Sequence, residues 1–86
     1  MYQLKYTAQA RRDYKKIKES HLHKPLMELL DILRAAPYQN PPPYEMLRGD
    51  MAGSLSRRIN RQHRLVYDVH EEEKMVKVLR VWTHYE

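Results

Sequence analysis

The side chains with the most chemical reach in this sequence are arginines near two polar turns. Arg58 and Arg64 flank the triplet Asn60-Arg61-Gln62, and Arg80 follows the run His70-Glu71-Glu72-Glu73-Lys74. If the triplet is a three-residue hairpin loop, Ile59 faces His63 and Arg58 faces Arg64. If the second loop centres on Glu72, Arg80 faces Arg64 from the other side. Opposed side chains in a sheet have Cβ atoms about 5 Å apart, and like charges there are destabilising. An anion would reverse that balance. A planar guanidinium binds two phosphate oxygens at once, and its charge is independent of pH. The competing explanation is a solvated basic face with the arginines splayed apart. A two-residue loop would put Arg58 and Arg64 on opposite faces, so the chemistry depends on register.

Other chemistries have less support. There are no cysteines, which removes disulfides, thiolate metal sites and cysteine nucleophiles. Of the five histidines, His21 and His23 form an isolated pair, and no His/Asp/Glu cluster has metal-ligand spacing. No metal and no cofactor is expected. His21, His23 and His70 read as surface residues.

The elements that must position the arginines are legible from period. Residues 2–6 alternate as a short strand. Thr7 is placed to cap a helix beginning at Ala8, with Ala10, Tyr14 and Ile17 on one stripe. Residues 20–23 break the pattern, and Pro25 suits the first turn of a second helix. Leu22, Leu26, Leu29, Leu30 and Leu33 recur along that helix to about Ala36. Residues 37–53 hold four prolines and both glycines, and read as an ordered loop. Loops of this length inside a compact domain are usually functional. Strands are predicted at 54–59, 63–69 and 75 to about 83. The result is an α+β domain, with an N-terminal strand and helical hairpin on a small, mostly antiparallel sheet of four strands. The first strand sits at the edge or beside the last.

Strand parity separates two faces. Leu55, Ile59, Leu65, Tyr67, Val69, Met75, Leu79 and Val81 should lie on the helices, with Arg57 and Lys77 as exceptions. Ser56, Arg58, Arg64, Arg80, Trp82 and, if the strand runs on, His84 should form a basic, open face, completed by Val66, Val76 and Val78.

With 86 residues, one domain spanning 1–86 is expected. The formal net charge is +5, which points weakly to an anionic partner. The start of the chain has no signal-peptide run, and no stretch approaches the roughly 20 apolar residues of a membrane span. A cytoplasmic protein without membrane contact is expected.

The run Ser56-Arg57-Arg58-Ile59, then His63-Arg64-Leu65-Val66-Tyr67, then His84-Tyr85 near the end resembles the YoeB/Txe toxins of the RelE superfamily. Tyr14, Glu45-Met46-Leu47-Arg48 and Gly53 extend the likeness over essentially the whole chain. The sequence departs from the family in its proline-rich loop, in Leu55 where an aromatic often precedes the motif, and in Glu86 after the His-Tyr pair. The resemblance implies a RelE-like microbial ribonuclease fold. It also implies a toxin–antitoxin system whose toxin cleaves mRNA on the 70S ribosome without a metal, masked by an acidic YefM/Axe-like antitoxin. A homodimer is compatible with it. Residue by residue, it implies Glu45 as general base, His84 as general acid, Tyr85 beside the base or phosphate, Arg58 and Arg64 at the phosphate, and Arg48 steadying the substrate. Arg57, of opposite parity, is expected to serve structure. Arg11, Arg12, Lys15, Lys16 and Lys18 either suit the first helix to ribosomal RNA or form a solvated helix face. The alternative within the superfamily is a toxin without this acid–base set that acts by binding, as the gyrase inhibitors do.

Overall fold

Thr7 makes the first corner. Its extended backbone follows strand β1 (Gln3–Tyr6), and its hydroxyl accepts from the Ala10 amide at 3.0 Å to cap helix α1 (Ala8–Ile17). The cap satisfies an amide that the first helical turn leaves without a partner. The computed structural model describes residues 1–81 and continues into α2 (His23–Ala35), with Pro25 in its first turn. Proline is tolerated there because its missing N–H has no intrahelical role. Tyr14 Oη and His23 Nε2, 3.1 Å apart, tie the helices together. His23 is therefore not the plain surface residue that was expected. Nor is His70, whose Nε2 is buried.

The sheet contains β2 (Glu45–Met46), β3 (Leu55–Arg58), β4 (Arg64–His70) and β5 (Met75–Arg80), in the order β1-β5-β4-β3-β2. β1 runs parallel to β5, and the other pairs are antiparallel. The α+β architecture matches the expectation, with β1 beside the last strand. Five strands stand where four were expected, because the proline-rich segment contributes β2. Prolines hold their predecessors extended, and the extended Glu45 and Met46 pair with Ser56 and Leu55. A 3-10 turn at Gly49–Met51 then reverses the chain. It uses φ of 72° at Gly49 and 93° at Gly53, in the left-handed region open to glycine.

The core lies between the sheet and α2, with Ala10 and Ile17 from α1. Leu22, Leu26, Leu29, Leu30 and Leu33 all enter it, as the leucine stripe predicted. On β3 and β4 the face assignment also holds, since Leu55, Leu65 and Tyr67 are core residues. On β5 it is reversed. Val76 and Val78 join the core, standing opposite Val69 and Tyr67. The cause is the turn, which is closed by Lys74 N–H donating to the Glu71 carbonyl at 3.2 Å and is not centred on Glu72. A one-residue change of register moves every side chain to the other face. A bulge follows. Tyr67 opposes Val78 and Val66 opposes Arg80, so Leu79 is the extra residue. Arg80 therefore does not face Arg64. Its guanidinium meets Asp13 of α1 instead, Nε to Oδ2 at 2.7 Å. The expected continuation of this strand to about Thr83, with Trp82, falls outside the described residues.

Candidate functional site

The site begins with a turn. The Asn60 side-chain oxygen accepts from the Gln62 and His63 amides at 2.8 and 2.7 Å. Ile59 N–H donates to the His63 carbonyl at 2.8 Å. This three-residue loop puts Arg58 directly opposite Arg64. The two like charges are thus cross-strand neighbours, an arrangement that needs a negative group nearby. Glu45 supplies one. Its Oε1 accepts from Arg64 at 2.6 Å. β2 places it there, because Glu45 opposes Ser56 and so shares the face of Ser56, Arg58 and Arg64.

The loop that delivers Glu45 is held from the opposite face by Arg57, which is 1% exposed. Its Nε donates to Tyr67 Oη at 3.0 Å, and its terminal nitrogens donate to the carbonyls of Pro37 at 3.0 Å, Gln39 at 2.8 Å and Pro42. The guanidinium also lies over the Tyr44 ring, 4.9 Å from its centroid. Tyr67 Oη donates to the Pro37 carbonyl at 3.0 Å. Burial pushes the Tyr67 hydroxyl above its usual range, while the Arg57 charge and hydrogen bond pull it back. The phenol therefore stays a neutral donor in this network.

Pro43, Tyr44, Glu45, Ser56, Arg58 and Arg64 line a hollow of about 250 Å³. Ser56 Oγ is buried at its floor and has no hydrogen-bond partner among the described residues. That face is less open than parity implied, because Ser56 and Val66 are both buried. Of the residues singled out from sequence, the fold brings Glu45, Arg58 and Arg64 together. Arg48 lies exposed ahead of the 3-10 turn and does not line the hollow. His84 and Tyr85 lie outside the described residues. A larger hollow of about 490 Å³ opens elsewhere, between α1 and α2, with Arg11, Lys15, Lys18 and Arg34 at its rim. It gathers no carboxylate and so offers no acid–base pair.

Sequence reasoning missed Asp13, and it placed Ser56 on the face of the arginines without a role for its hydroxyl. Asp13 is fully buried and bonds Arg80, the Val81 amide and Gln9. Burial raises its carboxyl, but those hydrogen bonds and the Arg80 charge outweigh this and hold it below its usual value. The signal was available, since Asp13 falls between Ala10 and Ile17 on the apolar stripe. A buried carboxylate needs partners.

The family model for the YoeB-like toxin of bacterial type II toxin–antitoxin systems matches residues 6–85. A solved YoeB/ParE toxin from Agrobacterium tumefaciens is 29% identical, covers 96% of this chain and 99% of its own, and superposes with a TM-score of 0.86. The YoeB-YefM complex from Staphylococcus aureus matches at 30% identity, 99% of both chains and a TM-score of 0.81. A YoeB dimer from the same organism matches at 29%, 98% of both chains and 0.80. Curated protein sequences include no match. No helix among the described residues is long and apolar enough to cross a membrane. The shared fold, together with a family match spanning nearly the whole chain, means that this protein belongs to the YoeB-like toxins of bacterial type II toxin–antitoxin systems.

Proposed function

We propose that this toxin is an mRNA endoribonuclease acting on the 70S ribosome without a metal, using the 2′-hydroxyl of RNA as nucleophile. Glu45 takes the hydroxyl proton. The bond from the 2′-oxygen to phosphorus forms as the bond to the 5′-oxygen breaks, and His84 protonates the departing oxygen. Arg58 and Arg64 hold the phosphate as charge builds on it. Tyr85 orients the phosphate or stacks on a base, and Arg48 steadies a neighbouring nucleotide. The observation that carries this reading is the hollow in which one carboxylate and two opposed guanidiniums meet.

The resting bridge between Glu45 and Arg64 is not an obstacle. The Glu45 side chain is 60% exposed, and Arg64 is 14% exposed. A pair open on one side contributes about 1 kcal/mol or less after solvent screening. A phosphate gripped by two guanidiniums offers more, so substrate frees the carboxylate as it binds. The net charge of +5 adds affinity for RNA that falls steeply with salt. The counterpart is an acidic YefM-like antitoxin, and self-association to a dimer is compatible with the solved relatives. A cytoplasmic location, a single domain over 1–86 and the absence of any membrane partner belong to the same reading.

Purified ribosomes programmed with a defined message test it. Wild-type protein yields cut ends within codons, and Glu45→Gln yields full-length message. Intact message with the wild type overturns the reading. Growth arrest that survives His84→Gln favours a toxin that acts by binding, as gyrase inhibitors do.

A further inference from the structure

We infer that Asp13 is a positioning residue for the C-terminal acid, acting from α1 on Arg80 and Val81 at the end of β5. The inference rests on the acid role proposed for His84. Asp13 has 0% exposure, yet it is not simply paired with a charge. Its Oδ2 accepts from Arg80 Nε at 2.7 Å and from the Val81 amide at 3.2 Å. Its Oδ1 accepts from Gln9 Nε2 at 2.9 Å and from the Arg80 terminal nitrogen at 3.4 Å. One carboxylate thus holds both the side chain and the backbone of consecutive residues.

Stability alone does not call for this arrangement. An apolar residue would suit the stripe between Ala10 and Ile17, and well-packed apolar groups often replace buried ion pairs with little loss. The carboxylate does something an apolar residue cannot, because it fixes both the Arg80 side chain and the Val81 backbone by hydrogen bonds. The extra residue Leu79 serves the same end. It turns Arg80 toward α1 and presents the Val81 N–H to Asp13. His84 follows Val81 by three residues. Each residue spans at most about 3.6 Å, so the clamp lies within about 11 Å of chain from the imidazole-bearing residue. Proton transfer needs hydrogen-bond reach, and a misplacement of about 1 Å costs about 100-fold in rate.

The test is single-turnover cleavage on ribosomes carrying a defined message, with a leaving-group control. In the control, sulfur replaces the 5′-oxygen at the scissile phosphate. A thiolate departs without protonation, so the general acid becomes dispensable. Asp13→Asn should lower the rate on the natural message about 10- to 100-fold, with ribosome affinity within about twofold of wild type. On the sulfur message it should come back to within about threefold of wild type, as should His84→Gln. Arg64→Ala should stay slow on both. Arg80→Gln keeps the carboxylate and removes the guanidinium. It should show the same sulfur-rescued defect, and it answers the question if Asp13→Asn does not fold. Wild-type speed for both variants on the natural message overturns the inference. So does a slow variant that sulfur does not rescue while His84→Gln is rescued. A His84→Gln defect that sulfur fails to rescue sinks the acid role itself, and the inference with it.

Discussion

Arg57 and Arg58 are adjacent in sequence and opposite in circumstance. Arg57 points to the side of the sheet where the proline loop folds over, and bonds Tyr67 and three carbonyls from that loop. Arg58 points to the hollow and stays exposed beside Arg64 and Glu45. The same guanidinium therefore does two kinds of work. On the closed side it satisfies three backbone carbonyls of the proline-rich loop. On the open side it leaves donors available to an anion. The closed side also serves the open one, because the segment Arg57 secures is the one that carries Glu45. A site built from a loop acquires rigidity in this way without placing its chemistry in the core.

Breaking the closed side should give the largest effect. Arg57→Ala leaves several carbonyls and the Tyr67 hydroxyl short of a donor, at about 1–3 kcal/mol for each group that stays buried and unpaired. A loss of about 3–5 kcal/mol is expected in urea unfolding. In a domain of this size that lowers the thermal midpoint by well over 10 °C, at about 4–8 °C per kcal/mol. A variant that melts with the wild type would show that the two arginines are equivalent, and the contrast would be lost.

Substitutions on the open side should divide stability from rate. Arg64→Ala is expected to slow cleavage by about 100-fold or more, close to losing one preorganised donor at a developing charge. Its urea midpoint should shift little, because the bridge it loses is largely exposed on the Glu45 side. Arg58→Ala should cost less, about tenfold, because Arg64 retains one grip on the phosphate. Equal losses at Arg57 and Arg64 in rate per folded molecule would mean that the face assignment does not separate function from structure.

How much of this was legible beforehand depends on where each residue sits. The leucine stripe of α2 and the Thr7 cap were readable because helical period and capping are local. The opposition of Arg58 and Arg64 was readable as one of two registers, and the Asn60 side chain decides between them through the Gln62 and His63 amides. That choice is a hydrogen-bond geometry, which residue types alone leave open. The reversal of β5 has the same origin. A turn closed between Glu71 and Lys74 differs from one centred on Glu72 by a single residue, and parity amplifies the difference into a change of face. β2 was hidden because two extended residues among prolines carry no period of their own. Glu45 was selected by resemblance to a family, and only its pairing with β3 brings it to the arginines. Arg57 was assigned to structure by parity, but its particular partners are carbonyls distant in sequence, which no local pattern reveals. Asp13 was overlooked for a different reason. A stripe of apolar positions invites attention to the residues that fit it, while the exception marked the clamp.

The smallest effect sharpens the comparison from the closed side. Asp13 is a carboxylate whose ionised form the fold favours through Arg80, Gln9 and the Val81 amide, against the cost of burial. A folded-state value below the ordinary 3.8 means that the unfolded chain binds the proton more readily. The associated stability is present in full above that ordinary value. It is lost as pH falls through it toward the folded-state value. Thermal melts of the wild type between about pH 6 and pH 3 should therefore fall more steeply at the acid end than those of Asp13→Asn, which carries no titrating group there. Above about pH 6 the two curves should run parallel, separated by whatever the amide costs as a partner for Arg80. If the curves instead stay parallel to the acid end, the carboxylate does not gain its ionised state from folding, and the Arg80 contact adds nothing to the pH dependence of stability.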